Sequence, residues 1–438
     1  MLDPFSVILW TLVGVAIGLL FSWMPGFHVY NVIALLASTG TILTFIPQEG
    51  FPFFTLGAVV SFAYASTIST TYFSVADDTM IFMLFPTQRY LIIGRGHEAT
   101  LLTLLGAFAA SLILAASLPL MPYVLPILRD LFNPYIPLFL AALVLFMFMS
   151  EWLKKGDRVE KPGWRLAVAW SQALGGLFVF LASGVLGFIV MYTNVLPATF
   201  AYVRLTPLFL GFFGLPWVVL NILSDVKIER QSTEDIVEVD AKAMLSGVFG
   251  GALGGYIAAF FPLITGGMGA LVAGHITSQR GDDTFIVSQG ANRFIYYVGA
   301  LLFLFLPAAS LTRGSAAWLV SSIYQPKSYV EYVYSIGALL LASGISFIGS
   351  IFLSKAVAKV VSAYYKHVSV AVLILLLGIA WALTGFLGVF IMVVAGFIGF
   401  MSSLFNTRRS YCLGGLIFPV LLSMTGTAEA FAKLIGLW

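Results

Sequence analysis

Charge is what this sequence has least of. Only 9% of its 438 residues are Asp, Glu, Lys or Arg, against roughly 25% in an ordinary soluble domain. With 60% of the chain hydrophobic, that scarcity excludes a soluble enzyme. The 22 Lys and Arg against 19 Asp and Glu leave a net charge of +3, too weak a field for nucleic acid, whose binding rests on neutralising phosphates. Nucleic acid is therefore not expected as a partner. Cysteine is almost absent: Cys412 stands alone, so an internal disulfide, a Cys-based zinc site and an iron–sulfur cluster are excluded, and redox chemistry with them. Glycine-rich phosphate loops followed by Lys, nucleophile elbows and zinc-binding His pairs are missing as well. Neither a resident metal nor an organic cofactor is expected.

What the sequence does have is apolar length. A hydrocarbon core of about 30 Å takes about 20 apolar residues per helix, and around a dozen such stretches are separated by short polar breaks. The expected fold is an all-α polytopic membrane protein of the cell (plasma) membrane with about 10 to 12 transmembrane segments. The opening run from Val7 to Met24 has no Lys or Arg before it and no small-residue cleavage site after it, so it reads as a retained helix. Basic residues gather at Arg89 to Glu98, Lys154 to Arg165, Ser224 to Lys242, Lys355 to Lys366, and Arg408-Arg409. The positive-inside rule places these breaks in the cytoplasm, with the N-terminus outside. The segment from Ser224 to Lys242, with six acids and three bases, is the longest strongly polar run. It divides the chain into a first membrane repeat with connecting helices (1–222), a polar cytoplasmic linker (223–242) and a second membrane repeat (243–438).

The two halves echo each other. Gly14, Gly18 and Pro25 recur as Gly251, Gly255 and Pro262, Asp77-Asp78-Thr79 recurs as Asp282-Asp283-Thr284, and Gly106-Ala107 with Ala115-Ala-Ser-Leu118 recurs as Gly299-Ala300 with Ala308-Ala-Ser-Leu311. Small-residue spacings of this kind are common where membrane helices meet, so any one match arises readily by chance. Three in the same order point to an internal repeat, and glycine or proline interruptions at corresponding places mark the midplane site of a secondary transporter. Inverted repeats would give alternating access.

Both halves carry an interrupted helix. The first break, Trp23-Met-Pro-Gly-Phe-His-Val-Tyr-Asn31, holds Pro25, Gly26, His28 and Asn31. The second, Phe261-Pro-Leu-Ile-Thr-Gly-Gly-Met-Gly269, holds Thr265, Gly266 and Gly267. Proline removes a backbone donor and glycine allows left-handed backbone, and at membrane depth such a break survives only when buried in protein or lining a wet cavity. Helices restarting after the breaks would aim their N-terminal amides at one point, an anion-binding arrangement. The plainer alternative is a kinked helix in which a neighbouring carbonyl satisfies His28.

The richest polar cluster, Thr284-Phe-Ile-Val-Ser-Gln-Gly-Ala-Asn-Arg293, puts Ser288, Gln289, Asn292 and Arg293 on one helical face. With Arg293 about 14 Å along the helix and near the midplane, all four are expected to line the anion site together with Pro25, Gly26, His28 and Asn31 of the first break and Thr265, Gly266 and Gly267 of the second. An intramembrane arginine marks a site or a buried ion pair, and its planar fork suits carboxylate or phosphate. The alternatives are a structural pair with Asp282 or Asp283, or snorkelling to the interface. In the first half, Ser66-Thr-Ile-Ser-Thr-Thr-Tyr-Phe-Ser74 precedes Asp77, Asp78 and Thr79. These three, with Asp282 and Asp283, are the candidates for ion coupling, through Na⁺ or through a carried proton. Serines and threonines that only bond their own helix backbone are the competing reading. The third aspartate that a lipid-pyrophosphate enzyme would need is missing.

These residues resemble the large permease subunit of tripartite tricarboxylate transporters, the TctA type, in its stand-alone archaeal branch. Four stretches carry the likeness: Met24-Pro-Gly-Phe-His-Val-Tyr-Asn31, Arg89-Tyr-Leu-Ile-Ile-Gly-Arg-Gly-His-Glu-Ala99, Phe285-Ile-Val-Ser-Gln-Gly-Ala-Asn292 and Arg313-Gly-Ser-Ala-Ala317. The resemblance implies inverted repeats and proton- or sodium-coupled uptake of organic anions such as di- and tricarboxylates. It carries motif roles to Pro25, Gly26, His28, Asn31 and Asn292. The sequence departs from that branch at Phe85-Pro-Thr-Gln-Arg89 and at Leu263, which follows Pro262 where a glycine would complete a Pro-Gly pair. The expected partners are the lipid bilayer and a small organic anion. Further candidate partners are a second copy of the chain, as a homodimer, and the family's small membrane subunit and solute-binding protein. A more distant likeness, to polyprenyl-phosphate translocases with Pro-Gly breaks in two repeats, keeps a lipid phosphate as the alternative cargo.

Overall fold

The structure is a computed structural model that describes residues 3–26, 28–29, 32–33, 45–149, 162–196, 203–223, 228–261, 264–277, 281–307 and 310–437. Its principal helices are α1 (Pro4–Phe21), α2 (Phe51–Phe73), α3 (Leu84–Ile92), α4 (Gly96–Ser117), α5 (Pro162–Tyr192), α6 (Ala241–Phe260), α7 (Gly266–Thr277), α8 (Asp282–Phe294), α9 (Gly314–Ile323), α10 (Tyr329–Leu404) and α11 (Gly414–Met424). Among the described residues the regular structure is all helical, with no strand, as the hydropathy pattern predicts.

Helix starts follow local chemistry. Asp3 caps α1 by accepting from the Phe5 and Ser6 amides at 2.7 and 3.1 Å, with Pro4 at the first helical position. Asp240 caps α6 in the same way, through Lys242 and Ala243. Gly281, at φ +104°, turns the chain into α8, whose first turn carries Asp282 and Asp283, where acidic groups favour the helix dipole.

Seven helices of the described residues are long and apolar enough to cross a membrane, or eight if the bent pair Arg409–Met424 and Ala428–Leu434 is one span. α10 runs 76 residues, about 114 Å of helix and more than two crossings need, and Lys355, Lys359 and Lys366 interrupt its apolar run. α1 leaves Phe5, Ile8, Leu9, Leu12 and Leu20 exposed, a face fit for lipid. α2 is its opposite, with every residue buried.

The chain forms two compact units, Met1–Leu131 with Asn221–Val372 and Phe132–Leu220 with Leu373–Trp438. In the first, helices meet backbone to backbone. A Cβ on Gly14 would fall 2.0 Å from the Phe54 carbonyl oxygen of α2, one on Gly251 2.1 Å from that of Ser288 in α8, and one on Gly106 of α4 2.1 Å from that of Val287. The first echo therefore does the same work twice, seating α1 on α2 and α6 on α8, and both helices end just before their proline. The other two echoes fall in dissimilar places. Asp77 to Thr79 follows α2 whereas Asp282 to Thr284 opens α8, and Gly106 is inside α4 whereas Gly299 closes the π turn after α8. In the second unit α5 and α11 cross on Gly187, whose Cβ would meet the Gly415 carbonyl oxygen at 1.9 Å.

Three of the polar breaks meet at one end of the first unit. Gln231 accepts from the Gly96 amide at 2.9 Å, donates to the Leu91 carbonyl at 2.8 Å, and its own amide donates to Ser362 at 2.9 Å. Arg95 holds Glu98 and, at 3.1 Å, Glu238. Asp235 takes Lys355 and, at 3.1 Å, His97; these two partners, Lys355 foremost, hold its carboxyl below the ordinary aspartate value. The stretch read as a linker is a strap bonded to α4 and α10.

Candidate functional site

Four separate segments of the first unit build the site. After α1 the chain turns through Pro25 and Gly26, the latter at φ +82° in the left-handed region that glycine adopts freely. The helix restarts with the Val32 amide donating to the His28 carbonyl at 3.3 Å. At the second break Thr265 caps α7, accepting from the Met268 amide on its hydroxyl at 3.3 Å. α2 ends at Ser74 in a left-handed turn, φ 59°, and the chain runs on to Asp77, whose Oδ1 accepts from the Thr79 amide at 3.0 Å and the Thr79 hydroxyl at 2.6 Å. The fourth segment is the end of α8, where Arg293 is followed by the π turn Ile295–Gly299, a form often found at functional sites.

These segments converge on one chain of hydrogen bonds. Arg293 Nη2 donates to Asp77 Oδ2 at 2.6 Å, the Tyr297 hydroxyl donates to the same oxygen at 3.1 Å, and His28 Nε2 lies 3.3 Å from the Tyr297 hydroxyl. The guanidinium carbon sits 4.8 Å from the Phe62 ring centre and 5.6 Å from that of Tyr297, near enough for cation–π attraction to offset part of its desolvation. The Arg293 side chain is 1% exposed and that of Asp77 15%. A pair so deep is no proof of net stability, but removing either partner strands a charge. Arg293 Nε and Nη1 are buried and have no acceptor among the described residues. Two of three guanidinium nitrogens thus carry donors that Asp77 leaves unused.

The second break reaches the same place, since a Cβ on Gly266 would lie 2.3 Å from Thr79 Cγ2. Gly267 is buried in the same first turn of α7. Of the face predicted on α8, Gln289 donates to the Ala270 carbonyl at 3.3 Å and Asn292 to that of Gly266 at 3.2 Å. Ser288 donates to Phe285 at 2.7 Å and accepts from Thr277 at 3.2 Å. These three side chains fasten α8 to α7, while Arg293 alone of the four reaches Asp77. Asn31 lies outside the described residues, as does the Asp78 side chain at the head of the 3₁₀ turn Asp78–Met83.

Asp282 and Asp283 open α8, about 15 Å of helix before Arg293. Asp282 pairs with Arg89 at 2.9 Å, at side-chain exposures of 39% and 73%, and Asp283 lies beside Gly281. The partner of Arg293 is Asp77 rather than either of these. A cavity of about 240 Å³ opens beside the Arg89–Asp282 pair, lined also by Phe82, Phe85 and Phe285. In the hydroxyl run of α2, Ser69 bonds the Val75 carbonyl at 3.1 Å and Ser66 that of Phe62, the backbone bonding expected of such residues. Two participants went unsuspected in the sequence. Tyr297 was within reach, one turn beyond Arg293 on the same face; Phe62, in an apolar run, carries no signal.

No curated protein and no solved structure matches the chain. The family model for the tripartite tricarboxylate transporter TctA family matches residues 8–414, a span that includes both breaks, Asp77 and Arg293. The chain therefore belongs to the tripartite tricarboxylate transporter TctA family, as a multi-pass membrane subunit of a tricarboxylate-type transporter.

Proposed function

We propose that this subunit carries di- and tricarboxylate-like organic anions across the membrane by cation-coupled alternating access, with Arg293 anchoring one substrate carboxylate. The observation that carries the reading is the buried guanidinium with two nitrogens lacking acceptors, in a family of tricarboxylate transporters. A planar fork recognises a carboxylate better than a point charge does. Pro25, Gly26 and His28 of the first break and Thr265, Gly266 and Gly267 of the second frame the anion, and Asn31 belongs to the same substrate motif by sequence. Ser288, Gln289 and Asn292 hold the second break in place. Asp77, steadied by Thr79, is the coupling carboxylate, with Asp78, Asp282 and Asp283 as outlying members of the path. The segments 1–222 and 243–438 act as inverted repeats joined through 223–242. The tripartite character of the family implies partner subunits, here a small membrane subunit and a solute-binding protein. The lipid-phosphate alternative gains nothing from the family match.

The test is a thermal-shift screen of purified protein with citrate, succinate, glutamate and a short-chain polyprenyl phosphate, each with and without Na⁺. A carboxylate at 100 times its Kd should stabilise the protein by about 2.7 kcal/mol. The double variant Arg293→Gln/Asp77→Asn, which strands no buried charge, should lose that response. Stabilisation by the polyprenyl phosphate alone, or an undiminished carboxylate response in the double variant, would overturn the reading.

A further inference from the structure

We infer that the Asp77 carboxylate occupies the place on Arg293 that a substrate carboxylate needs, so that the two anions compete for one guanidinium, and that a proton passed through His28 and Tyr297 releases Asp77. This rests on the anion-seat reading above and adds to it how the anion and the cation are tied together.

Each two-nitrogen face of a planar guanidinium, Nε with Nη2 or Nη1 with Nη2, includes the Nη2 that Asp77 holds at 2.6 Å, so a carboxylate gripping Arg293 by two nitrogens displaces Asp77. Asp77 Oδ2 is shared between Arg293 at 2.6 Å and Tyr297 at 3.1 Å, whereas Oδ1 is held separately by the amide and hydroxyl of Thr79 at 3.0 and 2.6 Å. The carboxyl group therefore keeps a mooring when Oδ2 leaves Arg293. The Tyr297 hydroxyl touches Asp77 on one side and lies 3.3 Å from His28 Nε2 on the other. When the His28 imidazolium gives its Nε2 proton to the Tyr297 oxygen, Tyr297 passes its own hydroxyl proton to Asp77 Oδ2. His28 ends neutral, Tyr297 unchanged, Asp77 neutral and Arg293 still cationic. Proton relays through such carboxylate and imidazole chains are what intramembrane ionisable groups are retained for.

Charge balance then dictates the coupling. With Asp77 ionised, the buried pair is neutral, and a second carboxylate would leave one uncompensated negative charge out of water, which is costly. A proton arriving with the anion restores neutrality. Among the described residues the titratable and charged groups facing Asp77 are Arg293 from α8, Tyr297 from the π turn and His28 from the first break; Tyr296, its ring centre 4.9 Å from that of Tyr297, stands next in line. One proton should accompany each anchoring carboxylate.

The experiment uses the purified full-length chain in detergent with succinate as the probe, between pH 6.5 and 8. Wild type should bind succinate about tenfold more tightly for each unit the pH falls, by linkage of one proton to one anion, and should take up about one proton per succinate, read with a pH-sensitive dye in weak buffer. Asp77→Asn should bind tightly across the range with no proton uptake. Tyr297→Phe should keep the equilibrium pH slope but slow uptake into proteoliposomes, which a merely packing role for the hydroxyl would not do. Weaker binding by Asp77→Asn, or wild-type binding with no proton uptake, would overturn the inference, as would affinity that follows Na⁺ and not pH. If Asp77→Asn fails to fold, the wild-type proton count decides. Succinate and citrate binding that survives in Arg293→Gln/Asp77→Asn, or no binding by wild type, would sink the anion-seat reading itself, whereas loss in that variant with an unchanged pH slope in Asp77→Asn would sink the competition alone.

Discussion

The same three residues, Asp-Asp-Thr, occur twice in this chain and meet opposite fates. Asp77 ends beside a buried arginine at 2.6 Å, and Asp282 beside an exposed one at 2.9 Å. The preceding turn decides the difference. Ser74, left-handed at the end of the fully buried α2, carries the first triplet inward, whereas Gly281 delivers the second to the exposed start of α8. Two ion pairs of nearly equal length thus differ in what they are worth, because the surroundings set both the screening and the cost of breaking them.

That contrast can be broken in steps. Asp77→Ala or Arg293→Met alone should cost about 3–5 kcal/mol of unfolding free energy, and the double variant should recover much of it; denaturant titration in detergent reads this, and additive losses would remove the buried pair from the account. Next, Gly106→Ala and Gly290→Ala, whose new Cβ atoms would sit 2.1 Å from the Val287 and Thr103 carbonyl oxygens, should each cost about 1–3 kcal/mol by overpacking. Gly337→Ala in α10, with nothing within 4 Å, should instead gain up to about 1 kcal/mol from helix propensity. Asp282→Asn should cost under about 1 kcal/mol, and the difference should fade in molar salt; a loss as large as that of Asp77→Ala would erase the distinction between the triplets.

The smallest effect belongs to the strap. Asp235 titrates below its ordinary value in the folded protein because Lys355 and His97 bond it. Its contribution is therefore present above the unfolded value of about 3.9 and lost as pH falls through the lower folded value. Amide exchange across 231–238, compared with the rest of the unit, should rise in that acid range in wild type, while Lys355→Met should show less of a rise because part of the contribution is already gone.

The helical class, the two breaks and the singular position of Arg293 were legible because each is local. Apolar length, a proline beside a glycine and a cation inside an apolar run need no knowledge of the rest of the chain. The partner of Arg293 was not, since Asp77 is 216 residues away and no helical period links them; the nearer aspartates at the head of α8 were the natural but different choice. The shared face of Ser288, Gln289 and Asn292 was visible, but its targets, the first-turn carbonyls of α7, depend on how two helices lie together. The polar composition of 228–240 likewise marked a surface segment without disclosing the side-chain bonds that tie it down.

The glycine contacts also constrain how the molecule can move. α4, α6 and α8 approach main chain to main chain at Gly106, Gly290 and Gly251, where a backbone carbonyl of the neighbouring helix lies where a Cβ would stand. They form a single stiff girder. Arg293, near the end of α8, is thereby mounted on the most rigid part of the first unit and not on a loop.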